Sequence, residues 1–227
     1  MLITGASTGI GEATARQAVE AGWRVALGAR SEDKLAALAD ELGAERALSR
    51  RCDVTALADQ EALVAASIER FGRLDAVFAN AGFGAKRGFL EESEEHWRAM
   101  VLTNVLGVAL TIRATLPQLL DAGTGHYLLT SSVAGRRALP GSLYSSTKWA
   151  VTGMAESLRQ ELRQMHDNRS IRVTLIEPGM TDTPFFDDRP QGALEPEDIA
   201  AAVFYALSQP DRVDVNEILI RPVTQPN

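Results

Sequence analysis

The chain has 227 residues, 45% of them hydrophobic and 23% charged, enough to bury a substantial core and inconsistent with extended disorder. Its formal net charge of −7 argues against general binding to nucleic acid or anionic membrane and leaves any phosphate recognition to a local site. Cys52 is the only cysteine, which excludes an intramolecular disulfide and a multi-cysteine zinc site; His96, His126 and His166 are widely separated, so surface or structural roles and no metal are expected. The opening "MLITGASTGIG" lacks a basic or apolar signal region, and no apolar run approaches the roughly 18 to 20 residues that span a bilayer, so a soluble cytoplasmic protein is expected.

Short β-branched or aliphatic runs alternate with segments of helical period. Strands are predicted at 2–4, 24–29, 47–53, 74–80, 126–131, 171–177 and 216–221, with helices near 10–21, 32–42, 56–71, 93–121, 144–166 and 196–208. This alternation predicts an α/β, doubly wound Rossmann-type fold with a seven-stranded parallel sheet, helices on both faces and ligands at the carboxyl ends of the strands. No linker or repeat divides the chain, so 1–227 reads as one domain, with a cofactor half of about 1–125 and a catalytic half of about 126–227. The first strand begins directly after Met1; either it is shortened or the true start lies upstream.

Between the first strand and first helix, "TGASTGIG" places Gly5, Gly9 and Gly11 where backbone N–H groups and a helix N-terminus can meet a pyrophosphate, with Ser7, Thr8 and Ile10 in the same turn. Glycines also serve turns that bind nothing. After the second strand, Ala29 stands where an acidic partner for a ribose 2′-hydroxyl would lie, and Arg30 follows, suited to a 2′-phosphate or else a solvated charge at a helix start. Asp53 and Val54 end the third strand, where the carboxylate can accept from an adenine amino group or cap a helix. The loop 178–198 is the longest aperiodic stretch, of a length common in lids and binding loops. In "YSSTK", Tyr144 and Lys148 stand at i and i+4 on one helix face, a spacing that also occurs on ordinary half-buried helices.

Together "TGASTGIG", "NAG" (80–82), Asn104 in "LTNVLG", "LTSSVAG" (129–135), "YSSTK" (144–148) and "PGMTDT" (178–183), in this order and spacing, resemble the short-chain dehydrogenase/reductase family across nearly the whole chain. The resemblance implies a catalytic tetrad of Asn104, Ser132, Tyr144 and Lys148. It implies further cofactor contacts at Asn80, Ala81, Gly82, Pro178, Gly179, Thr181 and Thr183, with Asn80 as a brace and Thr183 near nicotinamide and pyrophosphate. Ser132 is preferred to Ser131 because it precedes the Val133-Ala134-Gly135 step. The tail "VNEILIRPVTQPN" with "VALGARSEDKL" looks most like the NADP-dependent 3-hydroxy acid and serine dehydrogenase branch.

A phenol near pKa 10 is a poor proton donor or base at neutral pH, and an ammonium one helical turn away is expected to lower that pKa. Lys148 would also hold the nicotinamide ribose, Ser132 the carbonyl oxygen, and Asn104 a water leading to solvent. The expected function is hydride transfer between NADP(H) and a carbonyl or secondary alcohol, first a small 3-hydroxy acid and alternatively a ketone or 3-oxoacyl substrate. The rival of another class is a non-catalytic NADP-binding regulator. Phe83, Val133, Leu139, Met180, Phe185 and Phe186 are expected near the substrate, with Arg87, Arg136 or Arg137 meeting a carboxylate. Apolar residues beyond one stripe on 93–121 and 144–166, among them Leu106, Val108, Leu110, Ile112, Val151, Met154, Leu158 and Leu162, predict a homodimer or homotetramer, as the resemblance also implies.

Overall fold

The structure, a computed structural model, describes residues 1–186 and 190–225. Seven strands form one parallel sheet: β1 (Leu2–Thr4), β2 (Val25–Ala29), β3 (Ala47–Arg51), β4 (Ala76–Ala79), β5 (Gly125–Thr130), β6 (Ile171–Pro178) and β7 (Glu217–Ile220), in the order β3-β2-β1-β4-β5-β6-β7. The order reverses between β1 and β4, which opens a crevice at their carboxyl ends, where ligands bind in such sheets.

Period-two alternation feeds two cores. Leu2, Ala26, Val77, Tyr127, Leu129, Val173 and Leu175 point to one face of the sheet; Ile3, Val25, Leu27, Phe78, Leu128 and Ile176 point to the other. The first face is covered by α3 (Leu57–Phe71), α5 (Gly107–Ala122) and α6 (Leu143–Gln164), the second by α1 (Gly9–Glu20), α2 (Glu32–Leu42) and α7 (Pro196–Leu207). Both faces being covered explains why the inner strands are mostly apolar and buried, whereas the edge strands β3 and β7 are partly exposed. Helix ends follow local chemistry. The hydroxyl of Ser142 accepts from the Ser145 N–H at the start of α6, and Pro196 opens α7 behind a reciprocal Glu195–Asp198 capping box.

The helix predicted over 93–121 is one continuous run with an internal change of winding. It comprises α4 (Glu94–Val101), a π-helical segment at Leu102–Leu106 and α5. Together Glu94–Ala122 are 29 residues, long and apolar enough by length and composition to cross a membrane, which corrects the expectation that no segment reaches that size. Its apolarity serves two sides: Val108, Thr111, Thr115 and Leu119 are buried toward the sheet, while Val101, Leu102 and Leu106 are exposed. That division narrows the predicted second face: Val108, Val151, Leu158 and Leu162 belong to the core, Ile112 and Met154 are partly buried against it, and Leu106 is exposed, with Val101, Leu102 and, on α6, Trp149 exposed as well. The stretch 178–198 is partly paired: Thr181 bridges Leu194, with Asp182 N–H donating to Leu194 O and Leu194 N–H to Met180 O.

Candidate active site

The glycine turn lies at the carboxyl end of β1. Gly5 and Gly9 have φ of +66° and +57°, the left-handed region that glycine enters without strain. Gly11 lets α1 touch the turn, since a Cβ there would lie 2.3 Å from Gly5 O. Thr8 precedes α1 without a side-chain cap, so Thr8 leaves the first-turn N–H groups available to an anion; Ser7, Thr8 and Ile10 are half-buried at this edge. Asn80 braces the turn, its Nδ2 donating to Thr4 O (3.4 Å) and Gly5 O (3.3 Å) and its Oδ1 accepting from Thr130 Oγ1 (3.2 Å). Ala81 N–H donates to Thr4 Oγ1, and Gly82 passes so close to the centre that a Cβ would lie 3.0 Å from Asn104 Oδ1 and 3.6 Å from Lys148 Nζ. From the opposite side the Thr183 methyl packs on Gly9, where a Cβ would sit 2.9 Å away.

Arg30 is exposed at the end of β2, directly after buried Ala29. Asp53 does not cap α3, whose N-cap is Ala56; its Oδ1 accepts instead from Thr55 N (2.9 Å) and Thr55 Oγ1 (2.7 Å). Those bonds hold its carboxyl below the usual range, with a smaller contribution from Arg30. Val54 is buried against Gly107, and buried Gln60 donates to both Val54 O (2.8 Å) and Gly107 O (3.0 Å). Gln60 escapes sequence reasoning, because a glutamine within an amphipathic helix carries no sign that it points inward.

Tyr144 and Lys148 stand one turn apart on α6, with Lys148 Nζ 5.7 Å from the Tyr144 ring centroid. The expected lowering of the phenol pKa is not found. Burial pushes Tyr144 up to about 12, offset partly by the Ser132 hydroxyl, while burial pulls Lys148 down to about 8. Lys148 Nζ donates to Thr130 O (2.8 Å), and an ammonium carries three N–H groups, so it retains donors for a ligand. Ser131 and Ser132 divide their roles. Ser131 Oγ donates to Lys148 O (3.0 Å) and pins α6 to β5, whereas Ser132 Oγ donates to Pro178 O (3.4 Å) and accepts from Ala134 N (3.1 Å).

Asn104 sits in the π-helical segment with its side chain already engaged. Oδ1 accepts from Phe83 N (3.0 Å), and Nδ2 donates to Phe83 O (2.9 Å) and Thr147 Oγ1 (3.1 Å). The side chain thereby clamps the "NAG" loop to α6. Thr147, whose Oγ1 also donates to Tyr144 O (2.7 Å), is a further residue that sequence reasoning missed.

Aromatic residues gather over Tyr144. Phe185 meets its ring edge-to-face at 5.4 Å, Phe186 meets Phe185 at 5.0 Å, and Phe185 fills the space beside Gly84, where a Cβ would lie 2.5 Å from its Cζ. Phe83 packs edge-on to His96 at 5.2 Å. Val133 and Leu139 are half-buried on the turn and loop after β5, and Met180 is held through its backbone N–H by Gln225 Oε1 (2.9 Å). Gly179 N–H donates to Ile220 O (2.6 Å), and Thr181 Oγ1 to Gly179 O (3.2 Å), which fixes the strand end after Pro178. Arg136 is not available to a substrate carboxylate, being paired with Glu177 (Nε–Oε1 2.5 Å) and Glu217; Arg87 and Arg137 are exposed.

These features fit a dinucleotide. The uncapped start of α1 would hold phosphates, Lys148 offers donors beneath a close glycine loop, and exposed Arg30 would stand at the adenosine end. Comparison with known proteins agrees. The family model described as short chain dehydrogenase matches residues 1–193. An uncharacterized oxidoreductase of Listeria innocua is 38% identical over 242 residues, covering 100% of this chain and 97% of the relative. An alcohol dehydrogenase from Thermococcus sibiricus, solved with 5-hydroxy-NADP, superposes with a TM-score of 0.90 at 36% identity, covering 100% of this chain and 97% of that one. Serine dehydrogenase from Escherichia coli gives a TM-score of 0.89 at 31% identity, covering 100% and 99%. With its parallel sheet, glycine turn and Tyr144–Lys148 pair now matched over the full length, the chain belongs to the short-chain dehydrogenase/reductase family of oxidoreductases.

Proposed function

We propose that the protein interconverts a carbonyl and a secondary alcohol using NADP(H), with Ser132, Tyr144 and Lys148 at the reacting centre and Asn104 bracing them. The observation that carries this reading is the placement of Tyr144 and Lys148 one turn apart, facing Ser132 and the "NAG" loop at the carboxyl edge of the sheet. When bound, the reduced nicotinamide supplies hydride to the carbonyl carbon. Ser132 turns its hydroxyl from Pro178 O toward the carbonyl oxygen, and Tyr144, a neutral acid at pH 7, gives its proton to the forming alkoxide. Lys148 orients the ribose and stabilises the phenolate left behind.

Relatives have been solved with either NADP or NAD, so the preference for NADP(H) rests on Arg30 following Ala29. Similarity to serine dehydrogenase supports a small 3-hydroxy acid. A ketone with apolar substituents is placed first, because Arg136 is committed to two glutamates and Phe185, backed by Phe186, packs against Tyr144. The exposed row Val101, Leu102 and Leu106 with Trp149 supports a homodimer or homotetramer built through this face. Light scattering at micromolar concentration tests it, and a monomeric mass would refute it.

The central test is Tyr144→Phe, which removes only the hydroxyl. Turnover of NADPH with ketones and of NADP with hydroxy acids should fall by roughly 10² to 10⁴ while cofactor affinity holds. Near-normal turnover in this variant would sink the assignment. A wild-type protein that binds NADPH and turns over no carbonyl would favour the regulatory reading.

A further inference from the structure

One buried charge beside the site has no part in the chemistry above. Glu177 is 1% exposed at the end of β6, and burial raises its carboxyl above the usual range although a cation stands against it. That cation is Arg136, whose Nε lies 2.5 Å from Glu177 Oε1 and whose Nη2 contacts Glu217 at the start of β7. With Glu177 buried and Arg136 a third exposed, the pair is a weak source of stability, since desolvation of the carboxylate offsets much of the attraction and water screens the guanidinium. Its location suggests another purpose.

Arg136 closes the turn that begins at Ser132: Gly135 N–H donates to Ser132 O, and Arg136 and Arg137 N–H to Val133 O. Glu177 immediately precedes Pro178, whose carbonyl accepts the Ser132 hydroxyl at 3.4 Å. The pair thus ties the segment bearing Ser132 to the segment bearing its resting acceptor, across 41 residues of sequence. We propose that Arg136 and Glu177, with Glu217 outside them, are positioning residues that hold the Ser132 turn against the end of β6 and so set Ser132 Oγ relative to Tyr144. This inference rests on the proposed oxidoreductase reading for its kinetic consequence, though not for its geometric one.

The test replaces both charges together, Arg136→Met with Glu177→Leu, so that no unpaired buried charge threatens the fold. The full-length variant should melt at or above the wild-type temperature and bind NADPH within about two-fold of it, while kcat falls about 10- to 100-fold, the scale of a 1 Å misplacement. In a Ser132→Ala background the same pair of changes should alter kcat by less than about two-fold, because the group it positions is gone. An equal loss in both backgrounds, or no loss in either, would overturn the proposal. Crystal structures of wild type and variant give a readout free of turnover: Ser132 Oγ should shift by about 1 Å relative to Tyr144 Oη, and an unmoved Ser132 would overturn the positioning role. Should Tyr144→Phe keep its activity while Ser132 moves in the crystal, the oxidoreductase reading fails and the positioning role stands.

Discussion

Gly11→Ala should separate the phosphate turn from the helix that follows it. A Cβ at Gly11 would lie 2.3 Å from Gly5 O, 2.9 Å from Gly5 C and 2.9 Å from Asn80 Nδ2, and two of these three are backbone atoms that cannot rotate aside. Reaching an ordinary contact near 3.4 Å requires the start of α1 to lift by about 1 Å from the turn. Overpacking of this kind costs about 1 to 3 kcal/mol. For a chain of 227 residues that corresponds to a fall of roughly 2 to 12 °C in Tm. The same displacement withdraws the first-turn N–H groups from a phosphate. Losing one or two bonds to a charged group, each worth about 1.5 to 3 kcal/mol, weakens NADPH by at least about tenfold. Thermal unfolding followed by circular dichroism and titration of NADPH fluorescence measure the two effects on one preparation. A variant that melts and binds like wild type would refute both the close approach of Gly11 and the assignment of α1 as the phosphate site.

Arg30→Ala should weaken NADPH by roughly 10-fold, the lower end expected for an exposed charge-assisted contact, and leave NADH nearly unchanged, while Ala29→Asp should shift preference toward NADH. Titrations at one salt concentration check this, and an unchanged preference would return Arg30 to a solvated charge. Lys148, lowered to about 8 by burial, is an ammonium below that pH and loses its proton above it, so in the free enzyme kcat/KM for NADPH should fall as pH rises through about 8. A flat profile from pH 6 to 10 would contradict the role of the ammonium. His126, pulled down to about 3 by burial, donates through Nε2 to Thr174 Oγ1 (2.7 Å), because that hydroxyl is itself a donor to Val215 O (2.6 Å). Its Nδ1 has no partner among the described residues. The folded pKa lies below the unfolded value near 6.5, so this contribution is complete above pH 6.5 and is lost as pH falls toward 3, by at most about 1.4 kcal/mol per pH unit. Urea midpoints of wild type and His126→Gln at pH 7 and pH 5 should show the smaller pH effect in the variant.

Strands and helices were legible because each leaves a period. The alternation of Leu2 and Ile3, or of Leu128 and Leu129, assigns side chains to opposite cores without any long-range information. The spacing of Tyr144 and Lys148 was legible for the same reason. What escaped depends on contacts between distant residues. Nothing in "LTNVLG" shows that Asn104 spends its amide on the Phe83 backbone, 21 residues earlier, or that Arg136 is claimed by a glutamate 41 residues later. The phenol pKa escaped because sequence supplies the neighbouring lysine but not the depth of the pocket; burial is the largest influence on both groups. The division of the apolar helix residues between core and surface depended on which face met the sheet, and a helix with two apolar faces does not reveal that by composition.

The π-helical segment at Leu102–Leu106 acts on rotation more than on direction. A single wide turn takes up one extra residue, so everything after it is turned by about 100° relative to an uninterrupted α-helix. The run Glu94–Ala122 is a single rod in length and two rods in azimuth. The wide turn puts buried Asn104 inward between exposed Leu102 and Leu106, and hands the sheet a face of α5 that begins at Gly107 and Val108. Deleting one residue within 102–106 would erase that offset and rotate α5 against α4. The Asn104 clamp on Phe83 and the Gln60 bond to Gly107 O would then be misaligned together. The site is therefore more exposed to a shift in helical phase here than to the loss of any one aliphatic side chain in the same five positions.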